Sequence, residues 1–289
     1  MDENLVLKVE KLNKKYKSGK GIFDIGFEVP KGAIVGIVGA NGSGKSTLLS
    51  CIIGVKEKDN GKIAFKIDGK EYDEKNRKIL NELGIVRCEQ GFPEDFTAKT
   101  VSSIMKNVYR NWEQKKFAYI LKACELDSGI KIQDYSTGMK SKLSIAVALS
   151  HNPKILVLDE ATNGMDVMTC GFIKKLFFEF VEDGEHSIIF TSHKIGEVEK
   201  MADQIILMQT GRIIIDCSKD DMLQNYTVFQ MLEGKFEKID KNDVLKAYKE
   251  GFYINVLPKD ARGFRKKYKV DKEITDLETI VEIMMRGEQ

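Results

Sequence analysis

Apolar positions along the chain fall into two kinds of pattern. Residues 33–38, 155–158, 187–190 and 204–208 are apolar almost throughout. Short runs without polar alternation suit strands buried on both faces, as in a parallel sheet covered by helices. Residues 22–29 alternate instead, with Ile22, Ile25, Phe27 and Val29 spaced by polar or small positions. Together with 5–9, and broken by a turn at 17–19, this stretch predicts an antiparallel edge. Helix-like segments separate the apolar runs, so the fold class is α/β. From about 95 to 150 the chain becomes polar and amphipathic, which reads as a helical insertion in the α/β body. A hairpin at 204–208 and 212–216, turning at Thr210 and Gly211, is expected to close the main body. Beyond 217 the sequence is charge-rich with isolated apolar clusters and ends in a helix over 276–285, for which Thr275 and Glu278 form a capping box. The expected division is therefore a main domain at 1–217 and a small α+β appendage at 218–289.

Composition narrows the class. With 42% apolar residues in 289, a substantial core is available for one large domain with or without a smaller one. Lys and Arg number 46 against 44 Asp and Glu, a net charge of +2, which gives no reason to expect nucleic acid as a partner. The local basic stretch at Lys267, Tyr268 and Lys269 reads as solvated surface. Five cysteines stand apart, with no CxxC pair and no Cys/His cluster, so neither a metal site nor a disulfide framework is expected. No signal-peptide core appears at the start, and no apolar run reaches the roughly 18 residues of a membrane span. By itself the chain is expected to be soluble and cytoplasmic.

The segment from Gly39 to Ser46 satisfies G-x-x-x-x-G-K-S/T at every required position. It follows a buried strand and opens a helix at Thr47, which is the context that turns the pattern into a site. Gly39, Gly42 and Gly44, with Asn41 and Ser43 between them, let successive N–H groups curl around phosphate oxygens. The following helix presents its positive end to the same anion. Lys45 is expected to reach the β- and γ-phosphates, and Ser46 to offer a hydroxyl to Mg²⁺. At the end of a second buried strand stand Asp159 and Glu160, at the carboxyl edge where ligands bind in such sheets. Asp159 suits Mg²⁺ coordination, and Glu160 suits activation of a water as general base.

The segment 135–140, containing Ser136 and Gly138 and lying before 144–149 and the Asp159–Glu160 strand, resembles the signature motif of the ABC ATPase family in its S-x-G-M-K form. The resemblance covers residues 5–217 and implies a P-loop NTPase core of mostly parallel sheet with an antiparallel edge and a helical insertion. It further implies that Ser136, Gly138 and the helix they begin cap the γ-phosphate of ATP on an opposite subunit. Tyr16 resembles the aromatic residue that stacks on adenine, and Gln90 the glutamine that touches Mg²⁺ and the lytic water. His193 resembles the switch histidine at the γ-phosphate, and Asp166 the key residue of the loop coupling the two subunits. Departures are mild: Thr137 stands for glycine, Lys140 for glutamine, Ala161 for proline and Met165 for leucine. None removes a group with a chemical role.

The function this resemblance implies is an ATP-hydrolysing subunit of an ABC transporter. Two copies, or two related cassettes, would sandwich ATP and Mg²⁺ and drive a separate transmembrane permease from the inner face of the cell membrane. The segment 276–280 resembles the closing helix of exporter-type cassettes, which implies export. The alternative is a non-transport ABC ATPase acting on a protein or nucleic-acid machine. It fits less well, since one cassette stands alone and no sustained heptad run interrupts the chain.

Overall fold

The computed structural model describes residues 1–87 and 91–287. Its chain begins with β1 (Leu5–Lys15) and β2 (Gly21–Pro30), then β3 (Ile34–Val38) and α1 (Lys45–Ile52). Next come β4 (Asn60–Ile67), β5 (Lys70–Asp73) and β6 (Leu83–Val86). Three helices follow, α2 (Ala98–Val108), α3 (Gln114–Ala123) and α4 (Thr137–Leu149). The main body ends with β7 (Ile155–Asp159), α5 (Val167–Val181), β8 (Ser187–Ser192), α6 (Ile195–Met201), β9 (Gln204–Gln209) and β10 (Arg212–Ser218). The remainder comprises α7 (Lys219–Asn225), β11 (Val228–Leu232), α8 (Glu233–Phe236), β12 (Val244–Glu250), β13 (Tyr253–Pro258), α9 (Ala261–Lys267), β14 (Lys272–Ile274) and α10 (Leu277–Arg286).

These strands make three sheets, ordered β2-β1-β4-β5, β10-β9-β3-β8-β7-β6 and β12-β13-β11-β14. The central one is parallel from β9 to β6, with β10 as its antiparallel edge. Its apolar runs divide cleanly by face. Ile34, Leu156, Leu158, Ile188, Phe190, Ile205 and Leu207 join the core beneath the helices. Val35, Ile37, Ile155, Val157, Ile189, Ile206 and Met208 join a second core shared with α1 and the β1–β2–β4 sheet. Both faces are covered, which is why these strands carry almost no polar alternation. The two N-terminal strands do not lie at the edge of the parallel sheet. They form a sheet of their own with β4, which pairs with β1, and β5, which pairs with β4, and this sheet roofs α1.

Residues 95–150 fold into α2, α3 and α4 as expected of a helical insertion, with Val101, Phe117, Ile120, Leu143 and Leu149 buried among them. At the far end, α10 begins one residue away from the expected cap. The side chain of Asp276, not Thr275, accepts a hydrogen bond from the Thr279 amide at 2.8 Å, so no Thr275–Glu278 capping box forms. The third sheet has a small core of Phe229, Met231, Ile254, Val256 and Phe264, whereas Leu277, Ile280, Val281 and Ile283 of α10 pack into the core beneath the central sheet.

Candidate active site

Parallel register gathers the carboxyl ends of β3, β7 and β8 along one edge. Val38 lies beside Ser192, and Asp159 beside Thr191, so the loop at 39–44, the Asp159–Glu160 pair and His193 emerge together. Gly42 and Gly44 take positive φ of 80° and 109°, a backbone path that non-glycine residues resist. α1 then starts at Lys45 without any side-chain cap, leaving its first-turn N–H groups to seek an acceptor outside the helix. Asn41 and Gly42 are exposed on the outer turn of the loop.

Two observations fit this cradle to an anion. The Lys45 side chain is buried, and its Nζ donates only to backbone carbonyls, to Gly39 O at 2.7 Å and Ala40 O at 3.1 Å. Among the described residues it forms no ion pair. Burial pushes its pKa down, while Glu160 and Asp159 pull it back up. A buried ammonium without a counter-charge is costly, and a phosphate would relieve that cost. Ser43, only 4% exposed, has no hydrogen-bond partner for its Oγ among the described residues. A hydroxyl left unpaired at such a site is set to receive a ligand oxygen.

Beside the cradle, Ser46 Oγ donates to Asp159 Oδ1 at 3.1 Å, and Thr191 Oγ1 donates to the same oxygen at 2.7 Å. Ser46 and Asp159 thus converge as hard oxygen donors, the donor set that suits Mg²⁺. Thr191 also accepts from the Glu160 amide at 3.1 Å. Glu160 itself sits at φ 48°, an unusual conformation for a non-glycine residue at a functional edge. Its carboxylate is held at both oxygens. Asn163 Nδ2 donates to Oε2 at 2.5 Å, and His193 Nδ1 lies 3.4 Å from Oε1. The histidine ring is 45% exposed, open to a ligand, while the carboxylate is 22% exposed.

Behind them lies Glu197, a buried carboxylate that sequence reading passed over. Its Oε1 accepts from Thr162 Oγ1 at 2.8 Å and lies 3.2 Å from Lys174 Nζ; its Oε2 accepts from Ser192 Oγ at 2.8 Å. Thr191, Thr162, Asn163 and Ser192 were likewise illegible as site residues. The pairing register of β7 with β8 sets Thr191 beside Asp159, and the packing of the loop after Glu160 against the start of α6 brings Thr162 to Glu197.

Other expected residues are placed elsewhere. Tyr16 follows β1, and its hydroxyl lies 3.1 Å from Thr47 Oγ1 in the first turn of α1 while accepting from Lys56 Nζ at 2.9 Å. That brings the aromatic to the mouth of the phosphate loop. Ser136 caps α4, its Oγ accepting from the Met139 amide at 3.2 Å, and remains exposed. Gly138 packs so tightly on the next loop that a Cβ there would lie 2.3 Å from Gly164 O. Among the described residues, no hydrogen bond or ion pair joins 136–138 to the phosphate loop. Asp166 caps α5, and the Thr169 amide and hydroxyl hold its carboxyl down at about 2. It also lies 3.5 Å from Lys142 of α4. Gln90 falls outside the described residues.

Comparison with known proteins agrees with this geometry. A family profile described as ABC transporter matches residues 22–163. An uncharacterized ABC transporter ATP-binding protein of Bacillus subtilis (strain 168), YdbJ, is 31% identical over 215 residues, 74% of this chain and 69% of that protein. The bacitracin transport ATP-binding protein BcrA of Bacillus licheniformis is 27% identical over 231 residues, 78% of this chain and 75% of its own. Among solved structures, cbiO1 from Clostridium perfringens, part of the ABC transporter complex cbiONQ, superposes with a TM-score of 0.60 at 28% identity, over 77% of this chain and 94% of that one. No helix among the described residues is long and apolar enough to cross a membrane. A phosphate cradle with a buried unpaired lysine, a carboxylate pair at the adjoining strand end and a relative above 30% identity lead to one conclusion: this chain belongs to the ABC transporter ATP-binding proteins and is the ATP-binding subunit, an ATPase, of such a transporter.

Proposed function

We propose that two such cassettes close on two ATP molecules, each held between the phosphate loop of one chain and the start of α4 of the other, and that this closure drives a separate transmembrane permease. One observation carries the reading. At the tip of α4, Ser136, exposed beside the buried Gly138, opens a helix that would bind an anion, yet among the described residues it makes no hydrogen bond to the phosphate loop of its own chain. Val167 and Met168, 87% and 85% exposed beside that tip, supply apolar surface for a facing cassette. The partner is a second copy or a related cassette, and the complex lies on the inner face of the membrane through the permease. Nucleic acid has no role in this reading. Export is proposed on the resemblance of 276–280 to the closing helix of exporter-type cassettes. Residues 1–217 form the cassette and 218–289 an accessory region.

Within each site, the loop residues 39–44 and the first-turn amides of Lys45, Ser46 and Thr47 bind the phosphates, and Lys45 meets the β- and γ-phosphate oxygens. Tyr16 stacks on the base. Ser46 and Asp159 would hold Mg²⁺, with Gln90 added on the family resemblance; the ion, when bound, neutralises charge on the β- and γ-oxygens. Glu160 takes a proton from the attacking water, and His193, within reach of Glu160 Oε1, orients toward the γ-phosphate. Asp166 keeps α5 and α4 in register at the subunit boundary.

Glu160→Gln keeps the Asn163 contact but removes the base. With saturating ATP this variant is expected to sediment as a stable dimer with turnover reduced by about 10²-fold or more. A variant that stays monomeric at saturating ATP would sink the closed-dimer scheme.

A further inference from the structure

Buried carboxylates are expensive unless fully bonded, so each one in a fold asks for a reason. Glu197 is 9% exposed and bonded on both oxygens, and its partners come from three different elements. Thr162 belongs to the loop after Glu160. Lys174 belongs to α5. Ser192 ends β8, immediately before His193, and its Oγ also accepts from the Lys194 amide at 3.0 Å, closing the turn that displays the histidine. We infer that Glu197 is a positioning residue for ATP hydrolysis: it clamps the loop carrying Glu160 to the turn carrying His193 and so fixes the 3.4 Å approach of those two side chains. The inference rests on the roles proposed above for Glu160 and His193.

Physical reasons favour the clamp over a merely structural ion pair. Lys174 alone would satisfy the charge of Glu197, yet both hydroxyls are also spent on it. Glu160 stands at φ 48°, so the segment after it needs an outside restraint to persist there. Thr191 and Asn163 bind Glu160 directly, but among the described residues neither hydrogen-bonds to His193. Beside the Thr191 hydroxyl, which accepts from the Glu160 amide, the Thr162–Glu197–Ser192 path is a second side-chain link between the segments next to both groups, and it does not pass through the ligand-facing pair itself.

The test uses the full chain. Glu197→Gln keeps shape while withdrawing the charge, and is expected to lower turnover at saturating ATP by about ten- to a hundred-fold, the cost of roughly an ångström of misplacement. Affinity for a fluorescent ATP analogue should stay within about two-fold, since no phosphate contact is altered. In combination with His193→Ala, the double variant should be no slower than the slower single, because the histidine is already misplaced. Ser192→Ala, which leaves Thr162 and Lys174 in place, covers the event that the buried substitution fails to fold; a smaller fall, again not multiplying with His193→Ala, is expected. Full turnover in either folded variant, or losses that multiply with His193→Ala, would overturn the clamp. If His193→Ala and Glu160→Gln themselves leave turnover intact, the reading of the site fails, and the clamp with it.

Discussion

The most specific residue-scale feature at the mouth of the site is the chain Lys56–Tyr16–Thr47. An ammonium has donors only, so Lys56 must donate to the Tyr16 oxygen across their 2.9 Å. The same phenol oxygen lies 3.1 Å from Thr47 Oγ1, so a hydrogen bond between the two hydroxyls continues the chain to the first turn of α1. Loss of one such charge-assisted bond costs about 1–2 kcal/mol, so Lys56→Met should raise the dissociation constant for ATP by about five- to thirty-fold. Turnover at saturation should not change. Tyr16→Phe should weaken binding comparably, and the pair together no more than either alone; Lys56→Arg should restore most of the loss. A nucleotide titration showing wild-type affinity for Lys56→Met would refute the chain. The family resemblance points to Tyr16, but Lys56 lies 40 residues away and is brought there only by the folding of α1 under the β1 turn.

At the scale of elements, α10 shows how a peripheral helix is fastened. Its cap is Asp276, and its inner face of Leu277, Ile280, Val281 and Ile283 is fully buried against α6 and β12–β13. Gln209 of the β9–β10 hairpin adds a hydrogen bond to Met285 O at 3.0 Å. Asp276→Ala should lower stability by about 1 kcal/mol, and Ile280→Ala by about 2–5 kcal/mol. Chemical denaturation measures both, and a single cooperative transition for the two variants would show that the region after 217 unfolds with the cassette. Elements buried on both faces were the most legible: β3, β7, β8 and β9 announce themselves as unbroken apolar runs. β4, β5 and β6 escaped because they are short or half polar, with β5 reading Lys-Glu-Tyr-Asp at an exposed edge. Without β4 and β5, the N-terminal strands could only be drawn as an edge of the main sheet. Motif spacing carried the candidate site as far as its ligand-facing groups. What backs those groups is set by the fold: Thr191 stands beside Asp159 through strand register, which a run of apolar residues leaves open, and Glu197 meets Thr162 through packing of α6 on the loop after Glu160.

At the scale of the whole molecule, the closed dimer proposed above would have each chain supply half of each site. Lys45 and Ser136 are both proposed to meet phosphate, yet among the described residues no hydrogen bond or ion pair joins them. Ser136→Asp is the informative change at the tip, because Asp is as good a helix cap as Ser and should keep α4 intact while setting a negative charge against the incoming phosphate. Lys45→Ala removes the cradle's cation instead. Each variant alone spoils both composite sites of its homodimer, so neither should dimerise on adding ATP. Mixed, they can pair in a way that places both defects in one site and leaves the other whole. An ATP-dependent heterodimer should then appear, seen by sedimentation with one chain labelled, where neither parent gives a dimer. Such rescue requires that each site draw on two chains. Failure of the mixture to dimerise, with both variants folded and the unaltered chain dimerising under the same conditions, would mean that each chain completes its own site.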